Sequence, residues 1–189
     1  MEISIVIPLF NESKSLRELH NWILTSLSGN SKTFEIIFID DGSTDDSWKI
    51  IEDLAKENKD THGILFSKNF GKSQALNAGF KIAKGEHVIT MDADLQDSPD
   101  EIFKMVKTLK DKKLDIVSGW KRKRYDSFFL KNLPSKLFNW AARRVSGIYL
   151  HDFNCGIKAY RKDVIKNIDV YGEMHRYIPV IAASHGFNK

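Results

Sequence analysis

Short apolar runs recur along this chain, and each is followed by a stretch in which apolar residues return every three or four positions. Ile3-Ser4-Ile5-Val6-Ile7 reads as a strand ending at Pro8, and Phe34 to Ile39 as a second ending in Asp40-Asp41-Gly42. Ile64-Leu65-Phe66, His87 to Met91 and Leu114 to Val117 give three more. The runs are nearly continuous rather than alternating, which is the pattern of parallel strands covered on both faces. Between them, Leu16, Leu19, Ile23 and Leu27 keep helical spacing behind a possible Ser15–Glu18 capping box. Trp48, Ile51 and Ala55 mark a second helix behind a Ser43/Thr44 cap, and Leu76, Phe80 and Ala83 a third closed by Gly85. Ser98-Pro99-Asp100-Glu101 is the strongest helix start, and Ile102, Val106 and Leu109 form the stripe behind it. The alternation predicts an α/β fold, a mostly parallel central sheet flanked by helices on right-handed crossovers.

Composition narrows the picture. The chain has 189 residues, 42% hydrophobic and 29% charged, which suits one domain, residues 1–189, with a sizeable core. Cys155 is the single cysteine, so a disulfide scaffold is excluded, and a buried, inert thiol is expected there. No run of about eighteen apolar residues and no secretory leader pattern is present, and a reducing, cytoplasmic setting is the simplest expectation. A formal charge of +4 is too mild to indicate nucleic acid by itself.

Ligands of open α/β sheets bind where strands end at their carboxyl edge. Here those positions hold Pro8-Leu9-Phe10-Asn11-Glu12, Asp40-Asp41-Gly42-Ser43, Ser67 to Lys72, and Asp92-Ala93-Asp94-Leu95-Gln96. Three of these loops carry acids and one is basic and contains glycine. Carboxylates gathered on one rim repel each other unless a cation or a donor-rich ligand sits among them, and a metal-bound nucleotide meets that need. Asp92 and Asp94, one residue apart at a strand end, can offer oxygens to one hard cation, Mg²⁺ or Mn²⁺, with Gln96 adding a carbonyl. A lone D-x-D is common in exposed turns; its place between a buried strand and a helix start is what makes it informative.

Ile5 to Glu12, Ile39 to Asp45 and Asp92 to Asp97 resemble the family 2 glycosyltransferases of GT-A, Rossmann-like fold. Ser67 to Lys72, Gly119 to Ser127, Asp152-Phe153-Asn154 and Gly172 to Tyr177 are similar to the branch that transfers sugars to polyprenyl phosphates, such as dolichol or undecaprenyl phosphate. The resemblance covers almost the whole chain. It implies that Pro8, Asn11 and Glu12 border the nucleoside, that Asp40 meets the base, and that Asp41 supports its loop or reaches the ribose. It places Lys68, Gly71 and Lys72 near base and diphosphate, and Asp92, Ala93 and Asp94 along the donor. Asp92, Asp94 and Gln96 would hold the metal. Charge builds on the leaving diphosphate as the anomeric bond breaks, so cations placed there favour the transition state over the ground state. The resemblance further implies Lys121, Arg124, Lys131 and Arg176 as partners of an acceptor phosphate. Asp152 would be the base or acceptor-orienting acid, so Asp152, Asp94 and Arg124 form the expected catalytic set. Glu173 and His175 belong to the last motif, His175 with a packing or hydrogen-bonding role as its plainer alternative.

The implied activity is an inverting, metal-dependent transfer from a UDP- or GDP-sugar to polyprenyl phosphate at the inner face of the cell membrane. A saccharide acceptor, a nucleotide-sugar-binding module without turnover, and a basic membrane- or nucleic-acid-binding domain are the alternatives. The run Lys121-Arg122-Lys123-Arg124 and the Gly172–Tyr177 motif favour a lipid phosphate. Phe128 to Ala141, apolar with interleaved Lys131 and Lys136, reads as an amphipathic, interfacial helix or pair, with an ordinary core helix as its competitor. The family resemblance also leads one to expect further C-terminal sequence, transmembrane helices included, beyond Lys189.

Overall fold

In the computed structural model, which describes residues 1–28, 33–119 and 155–188, the first strand is buried along its whole length. This β1 (Ile3–Leu9) turns Ile3, Ile5 and Ile7 into one core and Val6 into another. It is joined by β2 (Phe34–Asp40), β3 (Thr61–Leu65), β4 (His87–Thr90), β5 (Ile116–Ser118) and β6 (Lys158–Arg161) in the order β3-β2-β1-β4-β6-β5. All pairings are parallel except those of β6, which runs antiparallel to both β4 and β5. The sheet is therefore mostly parallel, as the apolar runs require.

Helices α1 (Leu16–Leu27), α2 (Ser47–Glu57) and α4 (Ile102–Asp111) contribute Leu19, Ile51 and Val106 to the first core. Helices α3 (Lys72–Ile82), α5 (Lys162–Lys166) and α6 (Ile178–Ser184) contribute Phe80, Val164 and Ala182 to the second. The inner strands β1, β2 and β4 are covered on both faces, which explains why their sequences lack alternation. Gly79 sets how closely α3 lies on β1. A Cβ there would stand 2.4 Å from Val6 Cγ1, so only glycine lets the helix settle and bring Lys72 to the sheet's carboxyl edge.

Several local expectations are corrected. β1 runs through Pro8 to Leu9. The Val6 carbonyl accepts from Met91 N and the Leu9 carbonyl from Asp41 N, so by alternation the Pro8 nitrogen faces the β4 side, beyond the last paired residue, Thr90. A missing N–H costs nothing there. β3 begins at Thr61, ahead of Ile64, because as an edge strand it buries little and its sequence is correspondingly polar. β6 was not anticipated; a four-residue strand headed by lysine does not read as a buried one.

The capping box is also absent. Ser15 already has helical torsions (φ −98°, ψ −23°), and its hydroxyl donates to Glu12 and accepts from no N–H of α1. The N-cap of α2 is Asp46, because Ser43 and Thr44 are bonded to Asn11. Gly85 does not close α3, whose C-cap is Ala83; it packs against the Ser4 backbone. Pro99–Glu101 is a single 3₁₀ turn leading into α4, and the Ser98 hydroxyl bonds Asp100 rather than capping. Ile102, Val106 and Leu109 are buried as the stripe predicts.

Candidate active site

The loops after β1 and β2 lock onto each other. Asn11 sits at φ +57°, a left-handed conformation that asparagine tolerates. Its amide N donates to Ser43 Oγ (2.8 Å), while its Oδ1 accepts from Thr44 N (2.8 Å). Glu12 N donates to Ser47 Oγ (3.0 Å). Asp45 accepts from Ser13 N and Ser47 N. Desolvation would raise its carboxyl, but these bonds to Ser47 and Ser13 outweigh it and hold the group at about 2. Asn11 and Glu12 therefore brace the rim of the cleft through their backbone and, for Asn11, its side chain.

Asp40 is fully buried, and its Oδ1 accepts from Ser43 N (2.8 Å). Its Oδ2 is buried with no partner among the described residues. Asp41 accepts from Phe70 N (2.7 Å) and Gly71 N (2.9 Å), one bond to each oxygen. It thereby fixes the turn before α3, where Gly71 takes φ +96°. Lys68 is exposed and lies over the Phe70 ring, 5.2 Å from its centroid.

The Asp92 loop follows β4. Asp92 is part-buried and its Oδ1 is bonded to Lys72 Nζ. Its backbone N donates to Asp97 Oδ2 (3.3 Å), an acid that is 3% exposed. The Asp92 and Asp97 Oδ2 atoms both come within 2.5 Å of where a Gly156 Cβ would stand, so only glycine fits against this acid pair. Ala93 is buried. Asp94 is exposed, and its Oδ1 accepts from Gln96 N (3.1 Å) across Leu95, which holds φ +62°. Gln96 is also exposed.

Two adjoining cavities lie along this edge. One, of about 370 Å³, is lined by Lys72, Asp92, Lys158, Tyr160, His175 and Arg176. The other, of about 230 Å³, is lined by Phe10, Asp41, Asn69, Gly71 and Ala75 among others. Pro8 and Lys72 line both. Sequence reasoning missed Lys158, Tyr160 and Ser73. The first two come from β6, the strand that was not anticipated. Lys158 is 6% exposed, with its ammonium on the Cys155 carbonyl. Cys155 is buried, as expected.

Ser73, on the first turn of α3, is fully buried and meets His175 twice. His175 N donates to Ser73 Oγ (3.0 Å), and that hydroxyl lies 3.1 Å from His175 Nδ1. The hydroxyl oxygen takes the backbone N–H on one lone pair, and its contact with Nδ1 runs in the direction that the ring's tautomer sets. Burial foremost, and then the Lys72 ammonium, push His175 down to about 4, so the ring is neutral at pH 7. The structure ties it to α3 through Ser73.

Lys121, Arg124, Lys131 and Asp152 lie outside the described residues, as does the apolar segment around Phe128. Among the described residues no helix is long and apolar enough to cross a membrane. Nor do three His, Cys, Asp or Glu side chains form a ready-made metal cage among them. The donor set nonetheless suits a hard divalent cation. Asp92 and Asp94 offer carboxylate oxygens, and Mg²⁺ and Mn²⁺ sites of this kind take one or two carboxylates and complete their shell with water and phosphate.

Known proteins resemble this chain in sequence and in fold. The family model described as "Glycosyl transferase family 2" matches residues 4–169. The dodecaprenyl-phosphate galacturonate synthase of Rhizobium johnstonii is 36% identical over 184 residues, 97% of this chain and 54% of that protein. The undecaprenyl-phosphate 4-deoxy-4-formamido-L-arabinose transferase of Shewanella sediminis is 40% identical over 182 residues, 95% of this chain and 54% of the relative. The chain thus spans about half the length of the curated relatives it matches. Among solved structures, the mannosyltransferase PcManGT of Pyrobaculum calidifontis, in complex with GDP-Man and Mn²⁺, superposes with a TM-score of 0.72 at 20% identity. That match covers 99% of this chain and 53% of the other. Residues 1–349 of S. aureus TarS, in complex with UDP, give 0.64 at 20% identity over 94% of this chain and 54% of that one. Both likenesses concern the fold.

Proposed function

The chain belongs to glycosyl transferase family 2, and from that premise we propose that it moves a sugar from a nucleotide donor onto a polyprenyl phosphate, with inversion at the anomeric carbon. The observation that carries this reading is the pair of adjoining cavities at the carboxyl edge, joined through Pro8 and Lys72. The smaller, with Phe10 and Asp41 on its walls, suits a nucleoside. The larger, with Lys72, Lys158 and Arg176 around Asp92, suits phosphates. The curated relatives named above use polyprenyl phosphates, and that supports the acceptor.

The residues divide the work as follows. Asp41 holds the turn that presents Gly71 and Lys72 to the diphosphate. The N-terminus of α3 adds oriented amides that favour an anion. Asp92 and Asp94, with Gln96 beside them, would hold Mg²⁺ or Mn²⁺. When bound, that ion supplies positive charge against the leaving diphosphate. Lys158 and Arg176 offset repulsion between donor and acceptor phosphates. Neutral His175 offers an N–H without adding charge. Lys121, Arg124, Lys131 and Asp152, which lie outside the described residues, are the acceptor-side residues that the family resemblance implies. A lipid acceptor places the reaction at a membrane surface, on the inner face of the cell membrane.

The test is a thermal-shift panel of UDP- and GDP-sugars with and without Mn²⁺. A ligand at 100 times its Kd stabilises by about 2.7 kcal/mol. One donor class should raise the Tm only with metal, and Asp94→Asn should abolish the rise. A panel in which no nucleotide sugar shifts the Tm overturns the reading.

A further inference from the structure

Lys72 stands on the wall between the two cavities, where a diphosphate bridging nucleoside and sugar must pass. Its ammonium does not reach into either cavity unengaged; it is bonded to Asp92, one of the two acids assigned to the metal. Asp97 Oδ2 crowds the same space as Asp92 Oδ2, and close carboxylates repel each other unless a cation stands beside them. Lys72 puts its charge directly on Asp92.

We propose that Lys72 is an exchangeable counter-ion coupling metal binding to nucleotide binding. Without ligands it occupies Asp92; when the divalent ion takes Asp92, Lys72 moves to the diphosphate. The proposal rests on the donor site described above and concerns the order in which that site fills. Two features suit the exchange. The pivot is rigid, because Asp41 grips the amides of Phe70 and Gly71 just before it. The side chain itself is 38% exposed and carries a compact charge on a flexible stem.

Metal alone must break the Lys72–Asp92 pair and leave an ammonium beside a dication. Metal with nucleotide gives that ammonium a new partner. The two affinities must therefore rise together, and by the same factor in either order.

The experiment titrates Mn²⁺, followed by its free-ion electron paramagnetic resonance signal, into wild type, Lys72→Met, Lys72→Arg and Arg176→Gln. Each is measured alone and with saturating UDP or GDP, after near-UV circular dichroism has confirmed the fold. Wild type should bind Mn²⁺ weakly alone and roughly tenfold or more tighter with nucleotide, within the usual range of coupling. Lys72→Met should bind Mn²⁺ alone about tenfold tighter than wild type, and its coupling to nucleotide should shrink by about the same factor. Lys72→Arg keeps the cation, and Arg176→Gln removes a different one from the same cavity; both should leave metal-only affinity within about threefold. Unchanged or weaker metal-only binding in Lys72→Met overturns the exchange, as does an equal gain in Arg176→Gln. If wild type still binds metal and nucleotide together in those cases, the transferase reading stands. If wild type binds neither, both fall.

Discussion

The two edges of the sheet differ in how fully they satisfy their acids. At the amino edge, Glu35 is 1% exposed and its Oε1 accepts from Ser4 Oγ (2.5 Å) and Lys84 N (2.8 Å). Gly85 N in turn donates to Ser4 Oγ (2.8 Å), and His62 Nε2 stands 3.7 Å from Glu35 Oε2. The fold supplies the partners, and the network ties β1, β2 and the entry to β4 together. At the carboxyl edge, Asp40 keeps an oxygen without a partner among the described residues, Asp92 leans on a part-exposed lysine, and Asp94 faces solvent. A buried acid whose bonds are met from within stabilises the chain. Acids whose bonds are only partly met, gathered beside cavities, leave capacity for a ligand.

That contrast can be broken by exchanging the consequences. Asp94→Asn should lower transfer by at least about 10²-fold, the scale of losing one transition-state charge contact, while denaturant unfolding changes by no more than about 0.5 kcal/mol, as at exposed sites. Glu35→Ala should do the reverse. It strands the buried Ser4 hydroxyl and the part-buried Lys84 N–H and should cost about 1–3 kcal/mol of unfolding free energy, with donor affinity of the folded protein unchanged by calorimetry. If Glu35→Ala weakened donor binding as strongly as it destabilised, the division between the edges would be wrong.

Asp41→Asn tests an acid that serves both ends. An amide has one accepting oxygen where the carboxylate has two, so one of the Phe70 and Gly71 amides loses its bond. A loss of about 1–3 kcal/mol in stability together with a several-fold weaker nucleotide Kd is expected.

The smallest effect is one of pH. His175 titrates near 4 when folded and at its ordinary value of 6.5 when unfolded. Between these values the unfolded chain binds more protons, so the contribution is complete above about pH 6.5 and falls away as the pH drops towards 4. His20, also buried and lowered, adds to the same slope. His175→Gln should flatten stability against pH across that window by about 1–2 kcal/mol. A slope identical to wild type would mean that burial and the Lys72 ammonium do not hold the ring neutral.

Much of this was legible in the chain. Ile3 to Ile7 and Phe34 to Ile39 are continuous because both faces are covered, and Asp92-Ala93-Asp94 was conspicuous because it interrupts an apolar run. Other features were not. Ser15 and Glu18 have the spacing of a capping box, but spacing does not set the torsions that let a hydroxyl reach a helix amide. Ser43 and Thr44 resemble a cap, yet Asn11, more than thirty residues away, claims them. Lys158 and Tyr160 sit on a strand too short to register as periodicity, and their place beside Asp92 depends on β6 inserting between β4 and β5.

The order of elements from β1 to β5, the double cover of the inner strands, the family and the line of acids after the strands were set by local composition and motif, because burial on two faces and turn chemistry act on neighbours in the chain. Which acid is satisfied and which is left partly unsatisfied was decided only in three dimensions. Ser4 reaches Glu35 across 31 positions and Lys72 reaches Asp92 across 20. A carboxylate's partners are chosen by the packing of α3 on β1 and of Gly156 on Asp92, and no pattern of adjacent residues encodes that choice.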